Sequence, residues 1–287
     1  MEFLRRAIQD QVHGLVGFGS GEVDLDRPTG DAGLFGPKSA CWQVHADFTS
    51  MMVGGVSALL LQMLHPAALG GVWDHSDFRR DKTGRLRRTA QFVAGTTYGS
   101  RREAERLIDR VRSIHDRVEG VLPDGTAYSA NDPDLLTWVH VAEASSFLAA
   151  YRRYRGPGFS IVDQDRYFNE TALVAERLGA RDIPRSRAAV EMYLQTMRHH
   201  LRADDRTRSV AATLLEQPSS NPLLLPFGKL LAGAAIDLLP AWARSMHGYR
   251  SPVMARPPLR LGIQGVGSVL RWALVDGSAK RARSRLA

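Results

Sequence analysis

The sequence predicts a mainly-α protein, a single multi-helix domain. Three observations lead there. Apolar residues recur at three-and-four spacing along most of the chain, alternating apolar and polar runs are scarce, and capping residues stand where the periodic stretches begin. The 287 residues exceed a typical single domain, but no linker, low-complexity tract or internal repeat divides them. The organisation expected is an N-terminal helix and extended arm at 1–34, a helical domain at 35–250, and a C-terminal helix with a basic tail at 251–287, packed on or extending from that domain.

The elements follow in order. Residues 4–10 (LRRAIQD) form an amphipathic helical pattern whose charges interrupt any apolar run, which is not the pattern of a signal peptide. Residues 17–37, rich in Gly, Pro and Asp, predict an arm. Residues 54–64 are apolar almost all round and predict a central buried helix, ended at His65-Pro66 because the residue before proline avoids the helical region. A helix opening near Arg85 continues through Phe92 and Thr96. Residues 100–120 predict a helix with a Ser100/Glu103 capping box and Gly120 as a left-handed stop. Its buried face would hold Ala104, Leu107, Ile108, Val111, Ile114 and Val118. Asp132-Pro133 reads as a cap and first helical residue, with Leu135, Leu136, Val139, Ala142 and Phe147 turned inward. Further helices are expected near 165–178, 186–201, 206–215, 223–239 and 260–275. The stretch 223–239 is the longest apolar one. Pro226, Lys229 and Asp237 break it, and a membrane span needs about 20 nearly uninterrupted apolar residues.

Thirty-eight basic against 30 acidic residues give a net charge of +8. Most arginines alternate with acids along helices and form no stripe, so no specific nucleic-acid partner is expected. The positive field favours an anionic ligand or a peripheral contact with an anionic membrane. The single cysteine, Cys41, excludes an internal disulfide framework and a multi-cysteine zinc site, and fits a cytoplasmic protein. It reads as a small buried hydrophobe, with a thiolate ligand as the sharper alternative.

His115 is the one ionisable side chain set into the apolar stripe of the 100–120 helix. A buried imidazole without a partner costs roughly 1–3 kcal/mol, so a carbonyl, a carboxylate or a metal should meet it. Arg85, Arg88, Thr89 and Phe92 share one helix face. Such a face is either a solvated helix start or the wall of a site for an anion or a polarised ligand. Among the other histidines, His65 reads as a helix-terminal hydrogen-bonder, and His140 as half-inward, lining a pocket or satisfied in the core. His199 and His200 should be exposed. His65 and His75 with a nearby aspartate offer an alternative two-histidine-one-carboxylate iron site. The glycines at 17–21 and 262–267 join no strand to a helix and support no dinucleotide site.

Five motifs carry a resemblance: GVSALLLQMLHP at 55–66, HSDF at 75–78, GRLRRT at 84–89, HDRV at 115–118 and YSANDP at 128–133. In kind, order and spacing they resemble the MpaB-type oxygenase family, which includes the rubber oxygenases, over roughly residues 35–250. The resemblance implies a globin-like helical core holding haem b, with His115 as the proximal iron ligand. Arg85 and Thr89 match the distal-side Arg and Thr. Its implied partners are a small or medium apolar organic substrate and dioxygen or peroxide. Arg85, with Arg88, would stabilise negative charge developing on oxygen, and Thr89 would orient it by a hydrogen bond. A neutral imidazole can hold iron through one nitrogen while a partner on the other fixes the tautomer. Two departures stand out. The rubber oxygenase has a lysine before that Thr, able to reach the iron, where this chain has Arg88, which has no lone pair to give. Its proposed carboxylate base has no counterpart in the stretch 67–71 (AALGG), so polyisoprene cleavage does not carry over. The alternative function is a non-catalytic haem-binding or sensing protein of the same fold.

Overall fold

The computed structural model describes residues 2–16, 23–78, 81–216, 225–250, 252–275 and 277–287. Helices dominate: α1 (Glu2–Val16), α2 (Ala40–His45), α3 (Phe48–Gln62), α4 (Pro66–His75), α5 (Lys82–Tyr98), α6 (Arg101–His115), α7 (Pro133–Tyr154), α8 (Ile161–Leu178), α9 (Arg187–Met197), α10 (Asp205–Leu215), α11 (Leu225–Leu238), α12 (Ala241–Met246), α13 (Arg256–Ala273) and α14 (Ser278–Ser284). Among the described residues the only sheet is a hairpin, β1 (Glu119–Val121) antiparallel to β2 (Ala127–Ser129). The mainly-α expectation holds.

The architecture is organised on α3, which lies along α7 in the most extensive helix–helix contact and also packs on α11 and α13. The all-round apolar run makes this possible: Val53, Val56, Leu60 and Leu61 are all buried. Gly54 sets the approach. A Cβ there would stand 2.9 Å from the Phe147 ring and 3.0 Å from Phe147 Cα, so only a glycine lets the two backbones come this close. Asp47 caps α3 through the Ser50 N–H, and Asp132 caps α7 through the N–H groups of Asp134 and Leu135. As expected, α3 gives out just before His65-Pro66, and Pro66 opens α4 as its first residue.

Three expectations need correction. The helix α6 stops at His115, not at Gly120, and its cap, Asp116, has ordinary right-handed geometry. Gly120 pairs with Tyr128 in the hairpin, and a Cβ on it would sit 2.7 Å from the Tyr128 hydroxyl, so the glycine makes room for a ring and is not a left-handed stop. Ser100 does cap α6 through the Glu103 N–H, but the Glu103 carboxylate turns to Arg106 at 2.7 Å, with no reciprocal box recorded for this helix. The basic end of the chain is packed against the rest of the fold. Ala282 of α14 is fully buried and Arg285 almost so. The Arg285 guanidinium donates to the carbonyls of Leu25 (2.9 Å), Asp31 (2.9 Å) and Gly99 (3.3 Å), closing the C-terminal segment over the arm that precedes α2. Of that arm, residues 17–22 lie outside the described residues, and Leu25 is buried against Trp42 and Tyr98.

Candidate functional site

A cavity of about 940 Å³ lies among α3, α5, α6 and α7, with α1, α8 and α13 adding to its wall. That is toward the upper end of the roughly 300–1,000 Å³ typical of small-molecule and cofactor sites. Val56, Leu59, Val93, Leu136 and Val139 make it apolar. The polar groups around it include His115, Arg85, Arg88, Thr89, His140 and Glu143.

The cavity explains why the apolar stripe of α6 changes character along its length. Ala104, Leu107 and Ile108 are buried in protein, whereas Val111, Ile114 and His115 line the cavity, and Ile114 is 45% exposed. His115 is half-buried. Its Nδ1 is enclosed and has no hydrogen-bond partner among the described residues. Burial holds its pKa below the ordinary range, so the ring is neutral at physiological pH. The tautomer-fixing partner expected for the second nitrogen is therefore missing at Nδ1.

Arg85, Arg88 and Thr89 all line the same cavity from α5. Arg85 is half-buried and donates to Ser76 Oγ at 3.2 Å. Burial, with Arg88 adding repulsion, lowers its pKa to about 10, which still leaves it a cation at neutral pH. Arg88 spends one arm on Asp81 at 3.0 Å, the residue that caps α5 through the Gly84 N–H, and its side chain is 60% exposed. It thus belongs to the rim, while Arg85 belongs to the wall.

Several functional candidates escaped the sequence reading. Glu143 stands one turn beyond His140 on α7. It lines the cavity, and among the described residues no hydrogen bond or ion pair reaches it. Burial raises its carboxyl to about 7. Burial also lowers His140 to about 4, with Arg185 contributing. The visible signal was an acid inside the otherwise apolar VAEA stretch of a buried helix. His45, also on the wall, is held between Thr97 Oγ1 and Tyr167 Oη, each at 2.9 Å, and burial lowers it to about 3. It is a satisfied neutral histidine. The Arg271–Asp47 pair, 2.9 Å apart, ties α13 to the start of α3 on the cavity wall. It joins residues 224 positions apart, a distance no local pattern reveals.

The remaining histidines fall elsewhere. His65 makes no side-chain cap bond at α4 and lies tilted over Trp138, so it is not the helix-terminal hydrogen-bonder expected. His75 Nε2 is 2.9 Å from the Glu119 carbonyl. No cluster of three or more His, Cys, Asp or Glu suited to a metal occurs among the described residues, so the His65/His75/carboxylate alternative is not assembled. His199 and His200 are exposed on a 3-10 turn, as expected. Cys41 is buried and its thiol is pushed up by burial and by Glu170, which argues against a thiolate ligand.

The residues present fit a haem. The His115 imidazole, neutral and with an enclosed Nδ1 that no described residue meets, stands on the wall of a cavity of cofactor size, with apolar sides for a macrocycle and guanidinium groups for its carboxylates. The protein is thus a mainly-α domain built round a large apolar cavity, with imidazoles and cations on its wall. The family model described as "ER-bound oxygenase mpaB/B'/Rubber oxygenase, catalytic domain" matches residues 42–272, most of the chain, and the protein belongs to that family. No curated protein and no solved structure matches it. Membership supports an oxygenase kind of activity.

Proposed function

We propose that the protein is a haem b-dependent oxygenase acting on a small or medium apolar organic substrate, with dioxygen or peroxide as its co-substrate. The observation that carries this reading is the His115 imidazole, neutral and unpartnered at Nδ1, on the wall of the about 940 Å³ cavity. When bound there, haem supplies the iron that activates the co-substrate, and His115 is the side chain that holds it.

The chain's own residues do the rest. Arg85, a desolvated cation that donates to the Ser76 hydroxyl, would attract a propionate or negative charge developing on oxygen. Thr89 offers a hydroxyl from the next turn of the same face. Arg88, anchored by Asp81, adds positive charge at the rim and cannot serve as a ligand. Glu143, titrating near neutrality, can hold or release a proton at its carboxyl inside the cavity. The apolar walls select an apolar substrate and exclude bulk water.

The test is to titrate the purified protein with haemin and follow the Soret band, in the wild type and in His115→Ala. The expected result is stoichiometric haem in the first and its loss in the second. An unchanged Soret maximum and haem content in His115→Ala would overturn the assignment.

A further inference from the structure

The wall that α7 gives to the cavity is a single helical stripe. Leu136, Val139, His140, Glu143 and Phe147 recur at three-and-four spacing, and all of them line it. The two ends of the stripe are apolar and its middle is not. His140 and Glu143 are each half-buried, and among the described residues no hydrogen bond or ion pair reaches either side chain.

The polar groups around the pair are committed elsewhere. Tyr167, near enough for the Glu143 charge to act on it, shares a 2.9 Å hydrogen bond with His45 Nε2. His45 uses its other nitrogen on Thr97 Oγ1, also at 2.9 Å. Gln62, on the cavity wall from α3, donates its amide to the Val139 carbonyl at 3.1 Å. A wall that met only apolar guests would be more stable with leucine or phenylalanine in place of the pair, because an unmet polar group in an apolar setting costs free energy. Cofactor and ligand cavities fix the orientation of a guest by a few polar groups placed on apolar walls, and this pair has that arrangement.

The chemistry of the two side chains defines the head group they take. His140, lowered to about 4 by burial with Arg185 contributing, is neutral and presents one N–H and one lone pair. Glu143, raised to about 7 by burial, presents carboxyl oxygens that accept. A hydroxyl serves both at once, donating its proton to Glu143 and accepting from the imidazole N–H. An ammonium head would face the Arg185 charge near His140 and the Arg85 charge on the wall from α5. A carboxylate head would set a second negative charge beside Glu143. A pure hydrocarbon would leave both groups unmet.

We propose that His140 and Glu143 are a specificity pair for a hydroxyl group, so that the cavity takes an apolar molecule bearing an alcohol and disfavours the matching ether or hydrocarbon. As a statement about the substrate of an oxygenase, this rests on the function proposed above. The binding preference itself requires neither haem nor turnover.

The experiment is isothermal titration calorimetry of the full chain, as purified and again with one equivalent of haemin, using 1-decanol and its methyl ether as probes. The ether keeps the oxygen acceptor and loses only the O–H. The wild type should bind the alcohol roughly tenfold or more tightly than the ether. Glu143→Leu should bind the two alike, and Glu143→Gln, which keeps a carbonyl oxygen for the hydroxyl, should restore part of the preference. His140→Phe should weaken both probes and leave their ratio standing, since alcohol and ether alike lose the imidazole donor. A general disturbance of the wall would not produce these two different signatures. The proposal is overturned if the wild type binds both probes equally or binds neither, or if Glu143→Leu keeps the preference. It is equally overturned if His140→Phe binds both probes as the wild type does, or if decylammonium binds more tightly than 1-decanol. Haem uptake is read separately from the Soret band. A chain that prefers the alcohol but takes up no haem would sink the oxygenase reading and leave the hydroxyl preference standing, and normal haem uptake without the preference would do the reverse.

Discussion

Two side chains on the cavity wall make separable contributions. Arg85 is half-buried and donates to the Ser76 hydroxyl, a neutral partner that leaves its charge available to whatever enters. Arg85→Ala should retain haem but lower turnover by about 10²–10³-fold, the roughly 2.7–4 kcal/mol typical of losing an oxyanion donor. Haem content and kcat measured on the same preparation check this, and equal losses in both would argue for a purely structural role. Glu143 makes a stability prediction with a definite sign. Its pKa is raised from 4.5 to about 7 by burial, so between those values the folded state holds a proton that the unfolded chain has released. Stability contributed by the protonated acid is complete below about pH 4.5 and is lost as pH rises toward 7, by an amount on the order of 1–3 kcal/mol. Glu143→Gln should remove that slope and be the more stable protein at pH 8, as urea midpoints across pH 5–8 will show. His45 and His140, lowered to about 3 and 4, act in the opposite sense. Their contribution is present above pH 6.5 and is lost as the solution is acidified through their folded values.

At the scale of elements, the α3–α7 contact is the feature on which the cavity depends, since both helices supply its walls. Gly54→Ala gains up to about 1 kcal/mol of helix propensity. Its new Cβ, however, would meet Phe147 Cδ1 at 2.9 Å, Phe147 Cα at 3.0 Å and the Ser146 carbonyl at 3.1 Å. Two of these are backbone atoms that cannot rotate away. The net effect expected is a destabilisation of about 1–3 kcal/mol, measured by chemical denaturation. A neutral or stabilising result would mean that the helices can separate without loss. The end of α6 teaches a related lesson. Periodicity marks Val111, Ile114 and His115 as inward, and so they are, but what they face is a cavity and not packed protein.

Across the whole molecule, the two ends of the chain close on each other. Arg285 reaches carbonyls of Leu25, Asp31 and Gly99, and Arg281 forms an ion pair with Asp26. Arg285→Ala would leave buried carbonyls without donors and should cost on the order of 3 kcal/mol, seen as a lower melting temperature and faster proteolysis of the arm. Deletion of the last helix should reproduce it. A variant indistinguishable from wild type would show that the C-terminal docking contributes nothing to stability.

The sequence by itself determined the mainly-α class and the order of most of the longer helices, while α2, α4, α12 and α14 were not marked. The N-caps Ser100 and Asp132 and the Pro133 start are local signals, decided by hydrogen bonds within four residues. Periodicity likewise pointed His115 inward, and the motifs at 55–133 pointed to the family. The sequence did not show which residues meet across the fold. Gly120 looked like a helix stop because its neighbour Tyr128 was invisible to a local reading. Whether the C-terminal basic run packs on the domain or extends from it stayed open, because the carbonyls that receive Arg285 lie more than 180 positions away. Glu143 became a candidate only once α3, α5, α6 and α7 enclosed the space it faces, because burial, which raises its pKa, is a property of the assembled walls and not of the helix that carries it.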